Sequence, residues 1–191
     1  MKKIKVITGG IGCGKSYVCD ILKQRGISVY DCDSRAKWLM QNNKFIISEL
    51  TNLIGEKAYI GQELNKPAIA QFLLDNPENN KAINSIVHPI VADDFLKSEY
   101  TWLESAIYFE SNFGRNFLDS YLPYIICVSA PLETRINRII HRDNIDREKA
   151  LEWIERQMAE EDKKPMSNFV IINDGEQDLD KQIDTLLTSL P

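Results

Sequence analysis

The chain has 191 residues, 43% of them hydrophobic and 27% charged, and a formal net charge of −5. That length suits one domain, or one core carrying small lobes, and the apolar fraction excludes a wholly disordered chain. No stretch approaches the roughly 18 apolar residues of a membrane-spanning helix, and the acidic balance argues against a general nucleic-acid or membrane binder while leaving room for a local basic site.

Residues 3–8, KIKVIT, form an apolar, β-branched run that stops at glycines, which predicts a strand and a tight turn. Two lysines open the chain as in a signal peptide, but the apolar part, 4–7, is interrupted by Lys5 and is too short for an h-region. Residues 15–25 place Val18, Ile21 and Leu22 on one helical face, with Gly26 as the stop. A second strand is read at 27–32, and further strands at 102–109, 124–130 and 168–173. Helical patterns lie near 34–54, 66–74, 78–99, 131–141, 146–161 and 176–189. Strands that are almost continuously apolar and alternate with helices predict an α/β fold with a parallel sheet covered on both faces.

Two segments exceed a minimal βαβ alternation. The stretch between the second and third strands is too long for one crossover and reads as a helical insertion with polar turns at 42–43, near Gly55 and Gly61, and at 75–80. Residues 132–161 are dense in arginine and acidic residues. The four cysteines, Cys13, Cys19, Cys32 and Cys127, form no CxxC pair and no zinc-like spacing with His88 or His141. Free thiols are expected, in a reducing cytoplasm.

Residues 9–16, GGIGCGKS, match G-x-x-x-x-G-K-[ST] between a strand and a helix. Glycines let successive backbone N–H groups turn inward as a nest for phosphate oxygens, and the helix N-terminus adds its positive dipole end. Lys15 is placed for the β- and γ-phosphates of a nucleotide, and the Ser16 hydroxyl for Mg²⁺. Cys13 lies inside this nest, where an anion site would lower a thiol pKa; the alternative is a spectator side chain whose backbone N–H does the binding. The third glycine of a dinucleotide fingerprint is missing.

A regulatory GTPase would need NKxD, whose nearest match, Asn65-Lys66-Pro67-Ala68, lacks the acid, and DxxG occurs nowhere. A kinase needs an acid near the phosphates and cations on the transferred group. Asp31 and Asp33 end the second strand at the edge where parallel sheets bind ligands, although either also suits a helix cap. Arg135, Arg138 and Arg142 share one helical face and, beside a phosphate loop, read as an arginine-rich lid closing over ATP.

The motifs ITGGIGCGKS, VYDCD, IVHP, IYFE, RINRIIHR, RQM and INDG occur in this order, and the chain resembles the dephospho-CoA kinase family over essentially its whole length. The resemblance implies transfer of the ATP γ-phosphoryl to the ribose 3′-hydroxyl of dephospho-CoA, on a five-stranded parallel P-loop kinase core. The core would span about 1–33, 101–131 and 162–191, a CoA-binding helical insertion about 34–100, and the lid about 132–161. It also implies roles for individual residues. Gly10, Ile11, Gly12, Cys13, Gly14, Lys15, Ser16 and Tyr17 would hold ATP, with Ser16 as Mg²⁺ ligand and Asp33 as general base. Thr8, His88 and Glu110 would border the acceptor, Arg138 and Arg142 would contact ATP, Arg142 catalytically, and Asn173 and Gly175 would border adenine. The implied partners are ATP and dephospho-CoA, with no nucleic acid and no membrane, in a monomer or weak homo-oligomer. Tyr17 stands where the family usually has threonine, and Arg135 where it often has glutamine. A nucleoside or nucleotide monophosphate kinase is the alternative.

Overall fold

The computed structural model describes residues 2–111 and 113–191. They form two compact units, one of residues 1–30 and 100–191 and one of 31–99.

The first unit is built on β1 (Lys5–Thr8), which runs through the phosphate-loop sequence into α1 (Lys15–Gln24) and then β2 (Val29–Asp31), whose last residue opens the second unit. The second unit continues with α2 (Cys32–Asn42), α3 (Lys44–Ile54), the short strands β3 (Tyr59–Ile60) and β4 (Glu63–Leu64), α4 (Lys66–Asp75) and α5 (Glu78–Lys97). The chain returns to the first unit with β5 (Trp102–Glu104), β6 (Tyr124–Ser129), α6 (Leu132–Asp143), α7 (Arg147–Glu155), α8 (Glu160–Lys163), β7 (Phe169–Ile172) and α9 (Leu179–Ser189).

The sheet has five strands in the order β2-β5-β1-β6-β7, with β1 parallel to both β5 and β6, and β6 parallel to β7. Val6 and Ile7 point to opposite faces of β1, and both are fully buried, so the central strand is covered on both sides, as its nearly continuous apolar run predicted. Val18 and Leu22 of α1, with Ile183 and Leu186 of α9, pack against Ile7, Ile126, Val128 and Ile171 of the sheet. A separate cluster joins Ile136 and Ile139 of α6 to Ala150 of α7.

In the second unit α2, α3 and α4 each pack on α5, burying Leu39, Ile46, Leu50, Ile69, Val87, Val91 and Phe95. Arg35 clamps Asp94 with two bonds of 2.8 Å and lies 4.1 Å from the ring centroid of Trp38. Tyr59 donates its hydroxyl to Met40 O, tying the β3–β4 hairpin to α2.

Four expectations need correction. The helix expected over 34–54 is two helices, because Asn43 takes an extended conformation and its side chain accepts N–H bonds from Phe45 and Ile46 to start α3. The β3–β4 hairpin, turning at Gly61 with φ 63°, sits where only a polar turn was expected. The strand expected over 102–109 ends at Glu104, and Ser111 bonds back to Ile107 in a turn instead. The helix expected over 146–161 breaks after Glu155, with α8 starting at Glu160. Among the described residues no helix is long and apolar enough to cross a membrane.

Candidate active site

The phosphate loop leaves β1 in the middle of the sheet. Helices α2, α3, α4, α7 and α9 begin with an Asp or Asn side chain that accepts a first-turn N–H. Helix α1 begins instead at Gly14, with φ 89° and no side-chain cap. The Lys15 N–H is taken by the Cys13 sulfur, and the other first-turn N–H groups have no capping side chain, an arrangement suited to an anion. A Cβ at Gly14 would collide with Asn173 Nδ2, and one at Gly10 with the Arg135 guanidinium. The loop has to be glycine-rich because these side chains press against its outer surface.

Those contacts are specific. Asn173, buried at the end of β7, donates Nδ2 to Cys13 O at 2.9 Å and accepts from Arg138 at 3.3 Å. Arg138 also reaches Gly12 O and Cys13 O, at 3.4 and 3.3 Å. Arg135 donates Nε to Ile11 O at 2.9 Å, and its Nη1 lies 3.3 Å from Glu160 Oε1. Glu160 in turn accepts from the Ser129 hydroxyl at 2.5 Å and Ala130 N at 3.3 Å. The three arginines of α6 therefore do not form one phosphate-facing row. Arg135 is 6% exposed and occupied with protein partners, whereas the Arg142 side chain is 60% exposed and, among the described residues, pairs with its neighbour Asp143.

Lys15 extends along the loop to Gly10 O, 3.4 Å away, and lies 3.8 Å from Glu104 Oε1 at the end of β5. Both contacts are long, so the ammonium is held close to the loop without a short bond to replace. Glu104 was not singled out from the sequence, since the strand was read on to 109; an acid at the carboxyl end of a parallel strand was the available signal. Ser16 is exposed. Thr8 is fully buried, and its hydroxyl has no hydrogen-bond partner among the described residues. Gly175, at φ 92°, lies in a turn that the Asp174 carboxylate closes by accepting N–H bonds from Glu176 and Gln177; these bonds hold the carboxyl below its usual pKa range. Burial raises the Cys13 thiol pKa and pushes Cys127 up to about 11. For Cys13 loss of hydration outweighs the attraction of Lys15, which favours the neutral thiol.

Glu110 lies after β5, and its Oε1 is 2.6 Å from the fully buried Lys163 Nζ and accepts from Met158 N at 3.2 Å. This carboxylate anchors the segment between α7 and β7.

In the second unit the two aspartates separate. Asp31 caps α2, accepting from Ser34 N at 2.9 Å and Ser34 Oγ at 2.6 Å. Asp33, in the first turn of α2, is exposed and has no hydrogen bond or ion pair among the described residues. His88 lies in the middle of α5 before Pro89, and burial lowers its pKa. Tyr17, next to Ser16 on α1, is 59% exposed.

A family model described as dephospho-CoA kinase (CoaE) matches residues 4–178. A dephospho-CoA kinase of Bacteroides fragilis is 37% identical over 191 aligned positions, which cover 96% of this chain and 91% of that protein. A crystal structure of a Thermus thermophilus protein, TT1252, superposes over the full length of both chains with a TM-score of 0.80 at 31% identity. The dephospho-CoA kinase structure from Campylobacter jejuni covers 98% of this chain and 96% of its own, with a TM-score of 0.69 at 22% identity, which supports the fold.

Proposed function

The chain belongs to the dephospho-CoA kinase family, and from that premise we propose that it transfers the γ-phosphoryl group of ATP to the ribose 3′-hydroxyl of dephospho-CoA. The observation that carries this reading is the uncapped start of α1 at Gly14, followed by Lys15 and Ser16.

The loop amides and the α1 N-terminus bind the ATP phosphates, and Lys15 offsets charge on the transferring oxygens. Arg142 joins it by giving up Asp143, an exposed ion pair that costs little to break. Asp33 takes the proton of the acceptor hydroxyl; its carboxylate is uncommitted, whereas that of Asp31 is used as a cap. His88 and Thr8 border the acceptor, and Asn173 and Gly175 the adenine. Mg²⁺ would suit this site, where the exposed Ser16 hydroxyl, together with phosphate oxygens and water, would supply the oxygen ligands this ion prefers. When bound, it neutralises phosphate charge. Free thiols are consistent with a cytoplasmic enzyme.

ATP consumption measured with dephospho-CoA, AMP, CMP and shikimate tests the reading, with product mass locating the phosphate. Turnover is expected with dephospho-CoA, and a preference for AMP or CMP would overturn it.

A further inference from the structure

Between α7 and α8 the chain passes Gln157, whose Oε1 accepts the Ile11 N–H at 2.7 Å across 146 residues of sequence. That bond helps fix the orientation of one peptide unit. The peptide joining Gly10 to Ile11 has its N–H on Gln157 and its carbonyl facing Lys15 Nζ at 3.4 Å and Cys13 N at 3.3 Å. The next carbonyl, of Ile11, is taken by Arg135 Nε at 2.9 Å. Rotating this peptide would turn ψ of Gly10, which a glycine permits, and φ of Ile11, which a β-branched residue resists at positive values, so the Gln157 bond and the Ile11 torsion fix its orientation together. A flip would carry the Gly10 carbonyl away from the Lys15 ammonium.

Gln157 is itself held firmly. Its neighbour Met158 donates its N–H to Glu110, which pairs with the buried Lys163, and Glu160 is fixed by Arg135 and Ser129. The segment 157–163 is thus anchored at Met158, Glu160 and Lys163.

We propose that Gln157 is a positioning residue for phosphoryl transfer, acting through the Gly10–Ile11 peptide to aim the Lys15 ammonium at the γ-phosphate. This rests on the kinase reading above. The β-phosphate also receives the α1 amides, which Gln157 does not touch, so Gln157 matters more for a triphosphate than for a diphosphate.

The test compares the full-length chain with Gln157→Leu, which keeps bulk and removes the acceptor, and Gln157→Met serves if the leucine variant does not fold. Affinities for ADP and for a non-hydrolysable ATP analogue are measured beside the melting temperature. The analogue is expected to bind about 5-fold more weakly, the worth of one neutral hydrogen bond, with ADP affinity within about twofold and the melting temperature lowered by only a few degrees, from the Ile11 N–H left without its acceptor. An unaltered ratio of analogue to ADP affinity, whether both fall or neither does, overturns the proposal. The ratio is read without an acceptor, so it is independent of whether the wild-type chain phosphorylates dephospho-CoA, which tests the kinase reading separately.

Discussion

Arg135 Nη1 and Glu160 Oε1 stand 3.3 Å apart with side-chain exposures of 7% and 4%. The pair joins α6 to α8 in the interior and passes its constraint to the phosphate loop through the Arg135–Ile11 bond. Two ions in so dry a place cost much hydration, and their mutual attraction offsets that cost only while both are present.

Removing one partner therefore strands the other. Glu160→Ala is expected to destabilise the fold by about 3–5 kcal/mol, which for a chain of this size lowers the melting temperature by roughly 10 °C. Thermal unfolding followed by circular dichroism checks this. Replacing both residues by apolar ones of similar volume should recover much of the loss.

Asp33→Asn should leave ATP affinity nearly unchanged while turnover drops by about 10²–10⁴, the usual cost of removing a general base. Steady-state kinetics and nucleotide titration on the same preparation read both quantities. Asp31→Asn, by contrast, should retain most of the turnover, since asparagine is also a good N-cap.

Loss of the loop cation behaves differently. Lys15→Ala should weaken ATP binding and lower turnover together, because the ammonium serves both bound and transferring phosphate. Glu104→Gln removes its acidic neighbour 3.8 Å away and should leave ADP affinity equal or improved, as isothermal titration would report.

His88 carries a pH dependence whose sign follows from burial. Its folded-state pKa lies below the ordinary 6.5, so the unfolded chain takes up this proton first as pH falls. Its contribution to stability is complete above about 6.5 and is lost as pH drops below that value toward the lowered pKa. Melting temperatures of the wild type and His88→Asn between pH 8 and 5 should converge or cross on the acid side, the variant showing the shallower decline.

The buried thiols should be slow to react. With Cys127 pushed up to about 11 and Cys13 also raised, little thiolate exists at neutral pH. Iodoacetamide on the folded protein is expected to label Cys19 before either of them, read by peptide mass mapping, and Cys13→Ser should retain activity.

What could be read from the chain was local. The run KIKVIT, the glycines of 9–16 and the helix face of Val18, Ile21 and Leu22 are consecutive, so period and spacing alone place β1, the loop and α1. Asp31 and Asp33 were legible as a pair but not as different residues; only the bonds from Ser34 to Asp31 separate them. Residues 132–161 were the harder case. Helical periodicity tells which residues share a face but not what that face meets, so Arg135 was grouped with Arg142 although it points inward to Glu160. Gln157 and Glu160 lay in a charge-dense stretch that resembles a solvated surface.

The sequence by itself therefore determined the phosphate-binding chemistry, because a nest of backbone amides, its glycines and its lysine lie within eight consecutive residues. The tertiary structure alone decided which distant groups hold that nest in shape: Asn173 on Cys13, Arg135 and Gln157 on Ile11, and Glu104 near Lys15. These partners come together only when the parallel sheet brings the ends of β1, β5, β6 and β7 side by side. A long-range contact of that kind leaves no period and no spacing in the chain.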